Sequence, residues 1–414
     1  NQGTFNFGGI NGGGFGVTVG NDAPILFYSR RIGLNAGRVI PIDAGGRLTG
    51  KVGKFSLGLL NIETADEAPS KTPQTNFSVV RVKRDVFRRS AVGVMVTNRT
   101  KSASVSDASN QGYGVDGVFN FFTDLTLGGY YARTKTARLD GDENSYQARV
   151  DYSPDLYGVQ FERLAADDGF NPDIGFLRRT AFIRNTTFLR FSPRPRSMKA
   201  VRKFTWDANV DYITDPGGTL ESRKIQGAFR TDLSSGDGFF VELASLYEKL
   251  DEPFAIESTE IPAGEYTFPE VHVQYYFGPQ RKVSGFVTVS HGRFYNGTRT
   301  GITTERPRLE ITPRLLLEPG VTANWISLPG AAFTQLLFTP RVSYTFTPRL
   351  STSALLQYNS SAKSFSTNVR FRWEYRPGSD FFIVYSDNRD TSAGGFPDLR
   401  GRGIVAKFTR LFRM

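Results

Sequence analysis

Hydrophobic and polar residues alternate with a period of two along the chain. Near its end, Val369, Phe371 and Trp373 alternate with Arg370, Arg372 and Glu374, and after a turn at 377–380 the alternation resumes with Phe381. Successive side chains of a β-strand point to opposite faces of its sheet. The pattern therefore predicts a hairpin with one aromatic face and one charged face.

The same alternation recurs in FTWDANVDY (204–212), YQARVDY (146–152) and VHVQYYF (271–277). We find no stretch with the 3.6-residue period of an amphipathic helix and no linker that divides the chain. The sequence therefore predicts an all-β chain organised as a single sheet.

Two kinds of connection separate the predicted strands, and they alternate along the chain. One kind is short and turn-like: 52–55, 86–90, 122–125, 153–156, 192–203 (a longer, basic member), 233–238, 278–282, 318–320, 347–350 and 376–380. The other kind is longer and more acidic: 64–75, 137–144, 165–175, 250–265 and 387–400. Short turns at one end and long loops at the other are typical of outer-membrane barrels.

The ten short turns join twenty strands, and LFYSRRIGL (26–34) and RGIVAKFTRLF (402–412) add a first and a last one. We predict an all-β fold, a single transmembrane antiparallel β-barrel of about 22 strands (roughly 20–24), with short periplasmic turns and long extracellular loops. The barrel takes residues 23–414. The Gly-rich residues 1–22 precede it as a luminal or periplasmic segment. The predicted location is the bacterial outer membrane.

Composition favours lipid as the environment of the aromatic face. The 414 residues include 35 Phe and 17 Tyr, mean hydropathy is −0.32, and no run approaches the ~18 apolar residues of a transmembrane helix. A soluble sandwich is the alternative, but its core would be mainly aliphatic. The residues predicted to face lipid include Trp206, Val210, Tyr212, Val342, Tyr344, Phe371 and Trp373. Membrane lipid and lipopolysaccharide are the predicted partners.

The opposite face carries the charges that we predict to line the lumen. Its candidates are Arg81, Lys83, Arg149, Asp151, Asp207, Asp211, Arg341, Arg370, Arg372 and Glu374. Acids and bases balance on this face, which predicts cross-strand ion pairs that stiffen the wall, with ion selectivity as the alternative. The net charge of +11 is spread through the strands, so nucleic acid is not a predicted partner. The basic turn at 194–203 is expected to meet anionic lipid or a periplasmic protein.

Catalytic and metal-binding patterns are weak. The chain has two histidines and no cysteine. The alternation places His272 and His291 on opposite faces of the predicted sheet, so their rings are predicted to face apart. GINGGGFG (9–16) lacks the Lys-Ser/Thr ending of a phosphate-binding loop. We therefore predict no catalytic residues, no metal site and no cofactor.

Several segments resemble one bacterial family. They are LFYSRRIGL (26–34), GRLTGKVGKFSLGLLNIET (46–64), TNFSVVRVKRDVFRRSAVGVMVTNR (75–99) and the ending FRWEYRPGSDFFIVYSD…IVAKFTRLFR. The chain is similar there to the C-terminal region of the family catalogued as domain of unknown function 5916. That resemblance implies an outer-membrane barrel and a connection with glycans, because family members commonly carry an N-terminal module like a family 9 carbohydrate-binding domain, which this sequence does not contain.

These observations predict a pore or gated channel for small solutes, with saccharides as one class. The alternation places Tyr276 and Phe286 on the lumen side, where their rings can stack on sugar rings. The alternative is a membrane anchor or scaffold for a glycan-binding module or partner proteins, without transport. Side chains cannot fill so wide a lumen. We therefore expect residues 1–22 and the loops 165–175, 250–265 and 387–400 to fold inward, with acidic loop residues meeting Arg341 or Arg370.

Overall fold

The computed structural model describes residues 3–8, 22–35, 38–103, 108–138, 141, 143–257, 259–393 and 395–411. Within them the secondary structure is strand, apart from two single-turn 3₁₀ helices at Ser29–Arg31 and Ala68–Ser70. Residues 9–21 of the Gly-rich segment lie outside the described residues.

The strands have the following bounds: β1 Leu34–Asn35, β2 Arg38–Val39, β3 Ile42–Val52, β4 Phe55–Thr64, β5 Thr75–Phe87, β6 Ser90–Arg99, β7 Asn110–Phe121, β8 Leu125–Thr136, β9 Asn144–Tyr152, β10 Tyr157–Ala166, β11 Phe182–Phe191, β12 Val201–Thr214, β13 Leu220–Leu233, β14 Gly238–Leu250, β15 Phe254–Ile256, β16 Thr259–Ile261, β17 Gly264–Phe277, β18 Val283–Phe294, β19 Gly297–Thr312, β20 Leu315–Leu328, β21 Ala331–Thr347, β22 Leu350–Asn359, β23 Ser364–Arg376, β24 Ser379–Asp390 and β25 Asp398–Phe408.

One large sheet contains 21 of these strands, from β3 to β14 and from β17 to β25, in the strand order of a closed barrel. Neighbours along the chain pair antiparallel, as in β5 with β6 and β23 with β24. The pairs β1–β2 and β15–β16 form separate two-stranded sheets. The predicted all-β antiparallel fold is therefore confirmed, with 21 strands in the order of a closed barrel. That number lies within the predicted range of roughly 20–24 but is odd and one fewer than 22.

The missing strand is LFYSRRIGL (26–34), which was predicted to be the first strand and is not one. Leu26 and Phe27 are adjacent and both buried, and Ser29–Arg31 forms a 3₁₀ turn. A strand cannot bury two successive side chains on one face. The large sheet begins only at Ile42.

One short turn was also misplaced. Glu318, Pro319 and Gly320 lie inside β20, where Pro319 is opposite Pro340 of β21. The turn lies instead between Thr312 and Leu315, in a TPRL sequence identical to that at 347–350. In both turns the threonine hydroxyl accepts a hydrogen bond at 3.3 Å from the arginine backbone N–H. The other predicted short turns and the long loops lie between successive strands of the large sheet, although the ends of several overlap the strands, as 387–400 does with β24 and β25. The predicted loop 250–265 contains the hairpin β15–β16.

The chain divides into two compact units, which are Asn1–Phe191 with Ala208–Lys224, and Ser192–Asp207 with Ile225–Met414. The core of the first unit joins sheet residues to segments outside the sheet. Phe77, Val79 and Phe182 from the strands pack with Leu26 and Phe170 from the connecting segments. Loop 167–181 and the chain before β3 are thus packed against this part of the sheet.

The second unit has a smaller core at its long-loop end. Ile261 of the β15–β16 hairpin is fully buried against Ile326 and Leu328 of β20, with Phe254 and Tyr295 around it. The long connection between β14 and β17 is therefore ordered by packing. Among the described residues, no helix has the length and apolar character needed to span a membrane.

Candidate functional site

The strands of the first unit present one polar face and one apolar face. Cross-strand register places Asp116 opposite Tyr130, Tyr130 opposite Gln147, Gln147 opposite Leu164, and Leu164 opposite Arg184. Directly opposed residues share a face. We call this side, which also carries Arg81 and Arg149, the polar face. The sequence-predicted lumen residues of this unit can be located on it.

Arg81 and Asp116 form a buried bidentate ion pair on the polar face. Two guanidinium nitrogens of Arg81 donate to the two carboxylate oxygens of Asp116, at 2.5 and 2.8 Å. The Arg81 side chain is 1 % exposed, and Gly93 on β6 leaves the space for its guanidinium. Lys83, two residues further along β5, is exposed. Arg81 thus stiffens the wall and is not available to solvent.

Arg149 is the centre of a second buried group. Its Nη2 donates to Asp151 at 3.0 Å and to Gln160 at 2.9 Å, and its Nη1 lies 3.9 Å from a carboxylate oxygen of Glu162. The strands β9 and β10 provide these residues because Arg149 is directly opposite Glu162. The ion pairing expected from the balanced charges is present here.

Arg184 links three segments of the first unit. It binds Asp211 of β12 through both carboxylate oxygens and Asp22 of the N-terminal segment at 3.0 Å. Its side chain is buried. Asp211 was predicted from its parity, whereas Arg184 was not, because β11 also places Phe182 and Phe188 on this face. Asp207, on the same side of β12 as Asp211, is half-buried.

The N-terminal segment lies along the polar face of the first unit. Phe5 fills the space left by Gly58, near the turn at Gly53, and Phe7 packs 5.3 Å from the ring of Tyr130. Further along, the backbones of Ile25 and Phe176 exchange hydrogen bonds of 2.9 and 2.8 Å in the long-loop region. The described part of the segment therefore extends from near the turn end to the loop end of these strands.

The polar face of the second unit is more open. Arg341 of β21 lies 4.0 Å from Glu318 of β20, and Arg372 of β23 binds Asp380 at 2.9 Å and Glu374 at 4.0 Å. The side chain of Arg370 is exposed and lies over the ring of Phe382 on β24, with 4.7 Å from guanidinium carbon to ring centroid. Four of the predicted lumen residues thus lie on the two strands that flank β22: Arg341 on β21, and Arg370, Arg372 and Glu374 on β23.

The acidic residues of loop 387–400 do not meet Arg341 or Arg370, contrary to expectation. Asp387 binds Arg389 and Arg402, at 2.6 and 3.0 Å, and Asp390 binds Arg400 at 2.5 Å. These partners are within or next to the same loop. Local pairing therefore satisfies these carboxylates, and the loop supplies no counter-charge to the polar face through them.

The apolar face of the first unit is exposed and continuous from strand to strand. Val80 is opposite Val96, Val96 opposite Tyr113, and Val115 opposite Tyr131. Each of these five side chains is between 40 and 53 % exposed. Nothing in the described chain covers this band.

The apolar face of the second unit has the same character. Val273 is opposite Val289 and Tyr275 is opposite Val287, and all four side chains are exposed. Exposed residues also include four of those predicted to face lipid: Trp206, Val342 and Trp373 here, and Val210 in the first unit. Tyr212, Tyr344 and Phe371 are half-buried.

The two histidines lie on opposite faces of the second unit. His272 is opposite Ser290 and contacts Glu270 at 3.2 Å, while His291 is opposite Val271 and shares a 2.8 Å hydrogen bond with Thr300. The described residues contain no group of three His, Cys, Asp or Glu side chains able to hold a metal ion. The two rings therefore do not belong to one site.

Two short turns of the second unit are joined by Asp237. Its carboxylate accepts hydrogen bonds from the backbone N–H of Gly278, at 2.9 Å, and from Nε of Arg281, at 2.7 Å. These donors favour the ionised carboxylate, so the pKa of Asp237 is lowered, first by the Gly278 N–H and then by Arg281. The contact fixes turn 233–238 to turn 278–282.

Comparison with known proteins adds no relative. No family model matches the chain, and no curated protein matches its sequence.

Proposed function

We propose that the chain is an outer-membrane β-barrel that forms a pore for small solutes. The observation that carries the proposal is the exposed apolar band on one face of the sheet. Soluble monomers rarely expose contiguous apolar surface larger than a few hundred Å², whereas a lipid-facing barrel wall requires it. The register pairs Val80–Val96 and Val115–Tyr131 illustrate the band.

The polar face supports an aqueous interior. Its charged side chains are paired across strands in the first unit, as Arg81–Asp116 and Arg149–Glu162. In the second unit Arg370 and Arg372 are exposed on the same side of β23. A membrane barrel with this alternation places its apolar side chains in lipid and its charged side chains towards water.

Saccharides are the proposed solute class, and fewer observations support this choice than support the pore. Tyr276 and Phe286 are directly opposite each other on the polar face, with ring centroids 5.6 Å apart. Flat aromatic surfaces of this kind stack on sugar rings. The family resemblance given above points the same way.

The test is conductance in a planar lipid bilayer. Purified chain should insert and give discrete current steps in potassium chloride, and a large neutral sugar polymer added to the solution should reduce them less than a small one. A heat-denatured sample is the control. Insertion without any current steps would overturn the pore.

A membrane anchor or scaffold without transport is the second candidate. It is favoured by the packing of Phe5, Leu26 and Phe170 onto the polar face of the first unit, since a filled interior conducts nothing. Stable insertion shown by protease protection in liposomes, together with zero conductance, would favour this candidate.

A further inference from the structure

The polar face of β21–β24, in the second unit, contains an open recess of about 520 Å³. Its floor is a block of hydroxyl side chains. Ser343 is opposite Ser353, and Thr345 is opposite Ser351. The next strand, β23, brings Arg370 opposite Ser353 and Arg372 opposite Ser351.

Phe382 closes one side of the recess. It is directly opposite Arg372, and both arginines lie over its ring, with guanidinium-to-centroid distances of 4.7 Å for Arg370 and 6.0 Å for Arg372. On the other side of Phe382, its cross-strand partner on β25 is Lys407, which is exposed. Two guanidinium groups therefore lie over one aromatic ring, and a third cationic residue is its cross-strand neighbour.

The charges of this group do not cancel. Arg372 has two carboxylate neighbours, Asp380 at 2.9 Å and Glu374 at 4.0 Å. The guanidinium of Arg370 forms no hydrogen bond or ion pair with the residues that the structure describes, and its contact is the ring of Phe382. Three cations against two carboxylates leave one positive charge, and Arg370 is the side chain with free donors.

These features match the recognition of an oxyanion. A guanidinium presents donors in a planar fork that fits phosphate, sulfate or carboxylate oxygens. Serine and threonine hydroxyls can donate to the remaining oxygens. The guanidinium is planar by resonance, and the ring beneath it fixes its orientation.

The recess is large enough for a ligand bigger than an inorganic ion. A volume of about 520 Å³ lies within the range of roughly 300–1,000 Å³ found for sites of small organic ligands. A second recess of about 380 Å³ is lined by Thr339, Arg341 and Gln357, nearer the long-loop end of the same strands. Arg341 thus provides a further cation on the approach to Arg370.

We propose that the Arg370–Arg372–Phe382 recess binds the oxyanion group of a small organic solute, such as a phosphorylated or carboxylated sugar. The proposal rests on the pore proposed above and names the charge of its solute. The recess holds the anionic group, and the hydroxyl floor accommodates part of the remaining body.

Two measurements test it, and the first needs no conduction. Titration of the detergent-solubilised protein with glucose phosphate and with inorganic phosphate should show saturable binding by calorimetry. Arg370→Gln should weaken glucose phosphate binding at least about tenfold, since a hydrogen bond to a charged group is lost. Arg370→Lys should recover only part of the affinity, because it restores the charge without the fork.

Arg308→Gln is the matched control, because Arg308 is an exposed arginine of β19 in the same unit and is paired with Glu310 at 3.4 Å. It should leave the affinity unchanged. Absence of saturable binding, or equal weakening by Arg370→Gln and Arg308→Gln, would overturn the site, the second result indicating general charge attraction only.

The second measurement is block of the single-channel current. Glucose phosphate should block the wild-type pore, and a higher concentration should be needed for Arg370→Gln. Saturable binding without any current would support the proposed anion site and contradict the proposed pore. Current that glucose phosphate does not block, together with no binding, would support the proposed pore and contradict the proposed anion site.

Discussion

The guanidinium of Arg184 donates two hydrogen bonds to Asp211, from Nε at 2.7 Å and from Nη2 at 2.6 Å. The same guanidinium donates to Asp22 at 3.0 Å. One buried cation thus connects β11, β12 and the N-terminal segment. Removing one partner of a buried pair leaves the other charge without compensation, which is costlier than losing an exposed pair.

Asp211→Asn should therefore destabilise the protein by about 1–3 kcal/mol, because two charge-assisted hydrogen bonds are weakened while Asp22 remains as an ionic partner of Arg184. The substitution keeps the side-chain shape and removes the charge. Unfolding in urea, followed by tryptophan fluorescence in detergent micelles, measures the change. Glu310→Gln, which breaks the exposed pair with Arg308, is the control and should cost about 0–1 kcal/mol. Equal effects of the two substitutions on the free energy of unfolding would mean that the burial of Arg184 does not make its ion pair more stabilising than an exposed one.

Val210→Arg tests the environment of the apolar face. Val210 is 39 % exposed, so on a water-facing surface arginine would cost almost nothing there. At the middle of a bilayer it should cost roughly 2–4 kcal/mol. Urea unfolding from liposomes gives the value, and Gln357→Arg, at an exposed polar-face position, is the control. Unchanged stability of Val210→Arg would argue against lipid at this position.

The Asp237 contact should depend on pH. A lowered folded-state pKa means that ionised Asp237 stabilises the joined turns above its ordinary pKa. This contribution is lost as the pH falls through the lowered pKa, so the loss begins below about pH 4. The protection factor of the Gly278 amide, measured by hydrogen exchange, should fall over that range. Asp237→Asn should abolish the pH dependence, and a pH-dependent Asn variant would contradict the assignment.

Ile261→Asp should release the β15–β16 hairpin from the sheet. Ile261 is fully buried, and a carboxylate cannot occupy that apolar position without its water. Limited proteolysis of the folded protein should then cut within residues 250–265. Ala255→Asp, at an exposed position of the same hairpin, should leave the loop resistant. Equal resistance of both variants would show that Ile261 does not hold the hairpin.

Deletion of residues 1–21 should raise single-channel conductance. Phe5 and Phe7 occupy space against Gly58 and Tyr130 on the polar face, whereas Asp22 and its contact with Arg184 are kept. The comparison is between the deletion and the full chain under identical salt. Equal conductance would mean that this segment does not restrict the path.

The alternation of side chains made most of the sheet predictable, and its exceptions arose where other constraints override it. Pro319 was read as part of a turn because proline and glycine usually end strands. In the structure it lies beside an irregularity of β19, where the hydroxyl of Thr304 accepts from the Val321 N–H at 2.8 Å. Proline is tolerated in strands at such bulges. The repeated TPRL sequence was the signal that could have located the true turn.

The candidate site was only partly predictable. Parity selected Arg370 and Arg372, because charged residues alternate there with Val369, Phe371 and Trp373. It could not select Phe382, since aromatic residues occur on both faces, nor the hydroxyl floor, since serine and threonine are neutral in such a pattern. It also could not tell that Arg372 has a carboxylate at 2.9 Å while Arg370 has none, which depends on register across three strands.

The position of Phe5 constrains the order in which the protein folds. Phe5 lies near the turn end of β4, but the chain leaves the N-terminal segment at the long-loop end and enters β3 there, running towards the turn at Gly53. Residues 3–8 and 22–33 can reach their positions on the polar face most directly while only the first strands have formed, because that face is then still open. The first hairpins and the N-terminal segment should therefore collapse together as the nucleus around which the remaining strands are added.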